Sequence, residues 1–247
     1  MANKFIKEEV KFLQGARNRW QELKYVLGVV YQFVKGLRGL HFVGPCVTVF
    51  GSARFSEDHP YYILARKVSA RVAQLGFTIM TGGGPGIMEA GNRGAKDVGG
   101  KSVGCNIVLP HEQSHNPYMD KFVTIEYFFV RKELLRKYST AFIIMPGGIG
   151  TLDEFFETLT LIQTDKMKRF PIVVMGLDYH KHIREHLTLM IAEKTISPED
   201  EKLLLFTDDV DEAVQHIHRY AEDNKLLHFE KSPKPSWILG EKKLKRA

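Results

Sequence analysis

The sequence has only two cysteines, Cys46 and Cys105, both in strand-like stretches, which read as small buried apolar residues rather than a disulfide or metal pair. No apolar run approaches the ~18–20 residues a membrane span needs. The N-terminus lacks an apolar signal segment with a small-residue cleavage site, so a cytoplasmic protein with no membrane partner is expected. Repeats and low-complexity segments are absent. So are nucleic-acid-binding modules and basic runs interleaved with aromatics, which removes nucleic acid from the expected partners. The net charge of +6 permits an anionic partner without identifying one. Part of that excess sits in Lys242-Lys243-Leu244-Lys245-Arg246, a solvated end.

What is present is 44% hydrophobic and 26% charged over 247 residues, enough for one soluble α/β domain with a sizeable core. The expected division is an N-terminal helical extension over 1–40, a nucleotide-binding catalytic domain over 41–224 and a polar tail over 225–247. In the extension, Trp20, Leu23, Leu27, Val30, Val34 and Leu37 recur at steps of three and four, one apolar helix face that packs on its own domain or on a second subunit. Gly36 and Gly39 are expected to end that helix.

From Cys46 the pattern is strand, turn, helix, repeated. Strands are expected over 46–50, 77–80, 102–108, 122–125, 141–145 and 171–175, and helices over 61–75, 87–97, 130–138, 151–162, 179–192 and 210–220. Such alternation predicts right-handed βαβ units in a parallel, doubly wound sheet with helices on both faces, a modified Rossmann fold. In these sheets ligands bind outside the carboxyl ends of strands. The unusual loops all follow strands, so connectivity gathers them on one rim.

Several catalogue motifs match by letter and fail by context. His111-Glu112-Gln113-Ser114-His115 fits H-E-x-x-H, but Pro110 and Pro117 make it a loop instead of the helix zinc needs. His182-Ile183-Arg184-Glu185-His186 fits H-x-x-E-H on a helix, with no evident third ligand. No metal is therefore expected. Residues 95–102 resemble a P-loop one residue short and run helix, loop, strand, the reverse of what a P-loop requires. The glycines after residue 81 miss the third position of a dinucleotide fingerprint, where Ile87 stands. No serine sits in a G-x-S-x-G elbow.

Two glycine turns carry the chemistry. Pro146-Gly147-Gly148-Ile149-Gly150 lies between a buried strand and a helix that Thr151 is expected to open, which offers unpaired N–H groups and a positive dipole end to a phosphate. Thr81-Gly82-Gly83-Gly84-Pro85-Gly86 is the second. Arg54, Arg131 and Lys132 follow strands and can add cationic contacts. Thr151-Leu152-Asp153-Glu154 fits a capping box, with Glu154 reaching back to the N-cap amide. A carboxylate so placed can also stabilise oxocarbenium character in a bound sugar. Spacing does not separate the two roles.

PGGIGTLDE at 146–154 fits P-G-G-x-G-T-x-x-E, and with FGSAR at 50–54, TGGGPGIMEAGNRGA at 81–95, LPHEQSHNPY at 109–118 and LTLIQTDK at 159–166 the chain resembles the Lonely Guy family of cytokinin-activating phosphoribohydrolases, long labelled as lysine decarboxylases. Phe129 replaces a histidine often found two places before the family's arginine. The resemblance implies hydrolysis of a nucleoside 5′-monophosphate, AMP or an N6-substituted relative, to free base and ribose 5-phosphate, with no cofactor. It implies a catalytic pair of Arg131 and Glu154. Gly147, Gly148, Gly150 and Thr151 would hold the phosphate. Lys132, Asp153 and Thr160 would line the nucleotide site, and Gly82, Gly83, Gly84 and Met88 would meet base and sugar, with Ser52, Arg54 and Glu112 beside them. It further implies a homodimer or higher homo-oligomer. The alternative on the same fold is a non-catalytic carrier of a nucleotide or of molybdenum cofactor.

Overall fold

The computed structural model describes residues 15, 18–108, 115–227 and 236. Seven strands form one sheet: β1 (Cys46–Phe50), β2 (Thr78–Thr81), β3 (Ser102–Ile107), β4 (Lys121–Ile125), β5 (Ser139–Ile144), β6 (Ile172–Val174) and β7 (Leu204–Phe206). Their order is β4-β3-β2-β1-β5-β6-β7 and every pairing is parallel. The chain builds outward from β1 to one edge, then returns to β1's other side at β5 and builds to the opposite edge. The gap above β1 and β5 is thus the topological switch point, where a doubly wound sheet opens a crevice.

Eight helices accompany the sheet among the described residues: α1 (Arg19–Leu40), α2 (Pro60–Gln74), α3 (Ile87–Asp97), α4 (Phe128–Lys137), α5 (Ile149–Gln163), α6 (Leu177–Ala192), α7 (Pro198–Glu201) and α8 (Val210–Asp223). The central strands are apolar on both faces because both are covered. Val47, Val49, Ala141 and Ile143 join one core with α2, α3 and α8. Cys46, Phe50, Phe142 and Ile144 join the other, against α1, α4, α5 and α6. Fully burying each large apolar side chain is worth roughly 1.5–3 kcal/mol, so these alternating sets fix the register of the inner strands. Both cysteines are buried and free, and burial pushes the Cys105 thiol up to about 12, so neither is a thiolate at neutral pH.

The order of elements follows the sequence pattern, with three corrections. First, α1 continues through Gly36 and Gly39 instead of ending there. A Cβ at Gly36 would strike Leu134 of α4, and one at Gly39 would strike Val123 of β4, so these glycines serve close packing. Second, the stripe of α1 that packs on the domain is Val29, Phe33, Leu37 and Leu40. Of the expected face, Trp20, Leu23, Leu27, Val30 and Val34 are exposed. Third, α4, α5 and α6 each begin two residues early, which at α5 changes the site described below. The short α7 and β7 were not anticipated. No helix among the described residues is long and apolar enough to cross a membrane.

Candidate active site

The turns after β1, β2 and β5 meet above the switch point. Ser52 N–H donates to the Pro146 carbonyl at 3.0 Å, and Ile87 N–H donates to the Ser52 carbonyl at 2.9 Å, so the first turn is pinned between the other two. Gly86, at φ 66°, faces the backbone of Ser52 and Ala53 too closely for any side chain. Together they enclose one cavity of about 800 Å³. It is large enough for a nucleotide.

Eleven expected site residues line this cavity: Ser52, Arg54, Gly82, Met88, Arg131, Gly147, Gly148, Gly150, Thr151, Asp153 and Glu154. The others stand elsewhere for identifiable reasons. Gly83 and Gly84 are locked behind the turn: Gly83 N–H donates to Thr81 Oγ1 at 2.9 Å, and Asn116 Nδ2 donates to the Gly84 carbonyl at 3.0 Å. Buried Asn92 ties that lock together, since its Oδ1 accepts from Thr81 Oγ1 at 2.6 Å and Asn116 Nδ2 at 3.0 Å. Lys132 is held by Asp153 at 3.0 Å and Glu157 at 2.5 Å. Thr160 is exposed, and its hydroxyl donates to the Phe156 carbonyl one turn back. Glu112, with the rest of 109–114, lies outside the described residues.

The capping box at Thr151 is not formed. The N-cap of α5 is Gly148, with no side-chain cap and no acidic residue in the first turn. Thr151 is already the third helical residue, its N–H bonded to the Gly148 carbonyl at 3.0 Å. Glu154 therefore does not reach back to a cap amide. Instead α5 begins with a bare glycine turn in which nothing lies within 4 Å of where a Cβ of Gly148 or Gly150 would be. Uncapped N–H groups, the positive dipole end and open space suit an anion approaching the backbone.

Glu154 sits in the second turn of α5, 6% exposed. Burial pushes its carboxyl up to about 7, with Arg131 and then Lys132 pulling the other way. Arg131 approaches from the first turns of α4, its Nη1 3.9 Å from Glu154 Oε1. Its Nε donates to the Cys105 carbonyl at 2.9 Å, which aims the guanidinium. A Cβ on Gly82 would lie 2.5 Å from Arg131 Nη2 and 2.7 Å from Met88 Sδ. Glycine at this position leaves the ends of Arg131 and Met88 the space they occupy across the second turn.

Several lining residues were not among the expected site residues: Phe50 and Ile149, although they lie within quoted motifs, and Phe55, Phe128 and Tyr179. Ile149 is 87% exposed at the mouth, and Phe128 is also exposed there. Tyr179 Oη donates to the Gly147 carbonyl at 2.8 Å. A tyrosine inside a helix has no motif to mark it, and only the pairing of β5 with β6 brings it to the turn. On α6, His182 is solvent-facing and paired with Glu185 at 2.9 Å, an ordinary exposed helix pair.

The model of the family described as "Possible lysine decarboxylase" matches residues 88–217. The cytokinin riboside 5′-monophosphate phosphoribohydrolase of Mycobacterium tuberculosis is 32% identical over 158 residues, which cover 62% of this chain and 82% of that protein. The protein of the same name from Mycobacterium marinum is 29% identical over 163 residues, covering 65% and 87%. Among solved structures, the molybdenum cofactor carrier protein of Chlamydomonas reinhardtii matches with a TM-score of 0.54 over 72% of this chain and 99% of that one. At 21% identity that likeness shows a common fold.

Proposed function

This chain belongs to the family described as "Possible lysine decarboxylase", and within it we propose that the protein is a phosphoribohydrolase. It would hydrolyse the N-glycosidic bond of a nucleoside 5′-monophosphate, AMP or an N6-substituted AMP, to free base and ribose 5-phosphate. The observation that carries this reading is one cavity shared by the buried Arg131–Glu154 pair and the bare glycine N-terminus of α5. Similarity to the mycobacterial phosphoribohydrolases supports it. Decarboxylation through pyridoxal phosphate needs a lysine available for a Schiff base. No lysine is among the described residues lining the cavity, and nearby Lys132 is held by two carboxylates.

In this reading the 5′-phosphate binds at Gly147–Thr151, and the ribose lies toward Glu154. As the bond from C1′ to the base breaks, its electron pair goes to the base and positive charge grows on the ribose. Ionised Glu154, itself buried, stabilises that charge from the wall of the cavity. Water then adds to C1′, and one of its protons ends on the departing base. A carboxyl titrating near neutrality is suited to relaying that proton. Arg131 holds the phosphate or assists the leaving base. The reaction needs neither metal nor cofactor.

The test is incubation with a panel of nucleoside monophosphates, with free base assayed by chromatography. Base release from AMP by the wild type, lost in Glu154→Ala with an unchanged fold, is the expected result. Hydrolysis at wild-type rate by that variant would refute the assignment. Tight binding without base release would favour the non-catalytic carrier.

The protein also pairs with a second copy of itself, in our reading, through the outward face of α1. Trp20, Leu23, Leu27, Val30 and Val34 keep the alternating three- and four-residue spacing of a helix-pairing seam. With Val26 and Tyr31 they form a contiguous exposed apolar face along the helix, the kind of surface that marks an interaction site.

A further inference from the structure

The phosphate turn is buttressed by the neighbouring strand–helix turn, and the two meet at close range. Gly176, which caps α6 in the left-handed region at φ 86°, lies against the Pro146 ring so closely that a Cβ would collide with it. The Asp208 carboxylate, from the turn after β7, accepts the N–H groups of Gly176 and Leu177, the latter at 3.1 Å to Oδ2. That fixes the first turn of α6 and with it Tyr179. The Tyr179 hydroxyl donates to the Gly147 carbonyl at 2.8 Å, and its ring packs edge-on to Tyr61 at 6.3 Å between centroids.

A trans peptide points its C=O and N–H in opposite directions. Holding the Gly147 carbonyl therefore sets where the Gly148 N–H points. Two glycines in succession have no side chains to enforce that orientation, and Gly148 has open space where a Cβ would be. The tyrosine supplies from outside what the glycine turn lacks within itself. We propose that Tyr179 is a positioning residue that orients the Gly147–Gly148 peptide toward a 5′-phosphate, and so makes the site prefer a phosphorylated nucleoside. This rests on the reading that the phosphate of the substrate sits at this turn.

The test compares Tyr179→Phe with the wild type. The variant keeps the ring and its contact with Tyr61, so the two should melt within about 2 °C of each other. Losing a hydrogen bond worth about 1 kcal/mol corresponds to a roughly fivefold effect. The expected result is a roughly fivefold rise in KM for AMP and in the Kd for ribose 5-phosphate, measured by calorimetry, with kcat within twofold and the Kd for adenosine unchanged. A purely structural role would weaken adenosine and ribose 5-phosphate together. That outcome, or an unchanged Kd for ribose 5-phosphate, overturns the proposal while leaving the phosphoribohydrolase reading in place. Should the wild type bind neither AMP nor ribose 5-phosphate, the reading and the proposal fall together.

Discussion

Glu154 is surrounded by features that oppose its charge and by two cations that support it, and burial prevails. The consequence for stability follows from linkage. Its folded pKa of about 7 lies above the ordinary value of 4.5, so between those limits the folded state binds the proton more tightly. The resulting stabilisation is fully present below about pH 4.5 and is lost as pH rises through 7. The full interval corresponds to about 3 kcal/mol, an upper figure. Glu154→Gln mimics the protonated form. It should match the wild type in denaturant melts at pH 4 and exceed it by about 1–3 kcal/mol at pH 8. The same substitution should abolish base release from AMP at both pH values, because glutamine cannot ionise. In the wild type, kcat/KM should climb with pH toward a plateau above about 7. Equal stability of the two proteins at pH 8 would mean that the carboxylate is better compensated than its burial indicates. A flat pH profile would remove ionised Glu154 from the rate-determining step.

At the scale of elements, α5 combines a stability defect with an open binding end. Gly150 lies in its first turn, where alanine is the better helix former by roughly 0.5–1 kcal/mol. Nothing lies within 4 Å of an added Cβ. Gly150→Ala should therefore raise Tm by about 1–2 °C. In our reading it also places a methyl group where the phosphate approaches, so KM for AMP should rise about tenfold. A higher Tm with unchanged KM would show that no ligand comes close to this turn. The same glycines explain why the start of α5 was misread. Gly148, Ile149 and Gly150 look like turn residues, and Thr151 looks like a cap, yet the helix begins at Ile149, with the Thr151 and Leu152 N–H groups already bonded to the Gly148 carbonyl. By contrast, β1 and α3 were legible to the residue, since Cys46–Phe50 is uniformly apolar and Gly86 marks where Ile87–Asp97 starts. The edge strand β7 was not, because three half-buried residues leave no periodicity to read. At the cavity, Gly82, Gly147, Gly148 and Gly150 stand where the turn chemistry suggests, while Gly83 and Gly84 are turned away by bonds to Thr81 and Asn116. Tyr179, Asn92 and Asn116 were not legible, since each acts through contacts that exist only once the strands are in order.

For the whole molecule, α1 presents two apolar stripes, and the described fold covers one of them. Val29, Phe33, Leu37 and Leu40 satisfy the domain. The second stripe, with Trp20 75% and Leu27 58% exposed, has no such partner within the described fold. A contiguous exposed apolar patch of this kind marks an interaction surface more often than it occurs on a free one. On the domain-facing side of the same helix, Tyr25 packs edge-on to Tyr127 at 5.6 Å, and Tyr127 meets Phe129 at the same distance. Replacing Leu27 and Val30 with glutamate in one variant places two charges in the seam of each copy, four across a two-fold interface. Light scattering should find a dimer for the wild type and a monomer for the variant, with Tm lowered by the loss of mass-action stabilisation. The variant's secondary structure should be retained, because neither residue faces the domain core. A wild type that is monomeric at every concentration would mean that another segment of this chain covers the stripe, and no dimer would then be needed to explain α1.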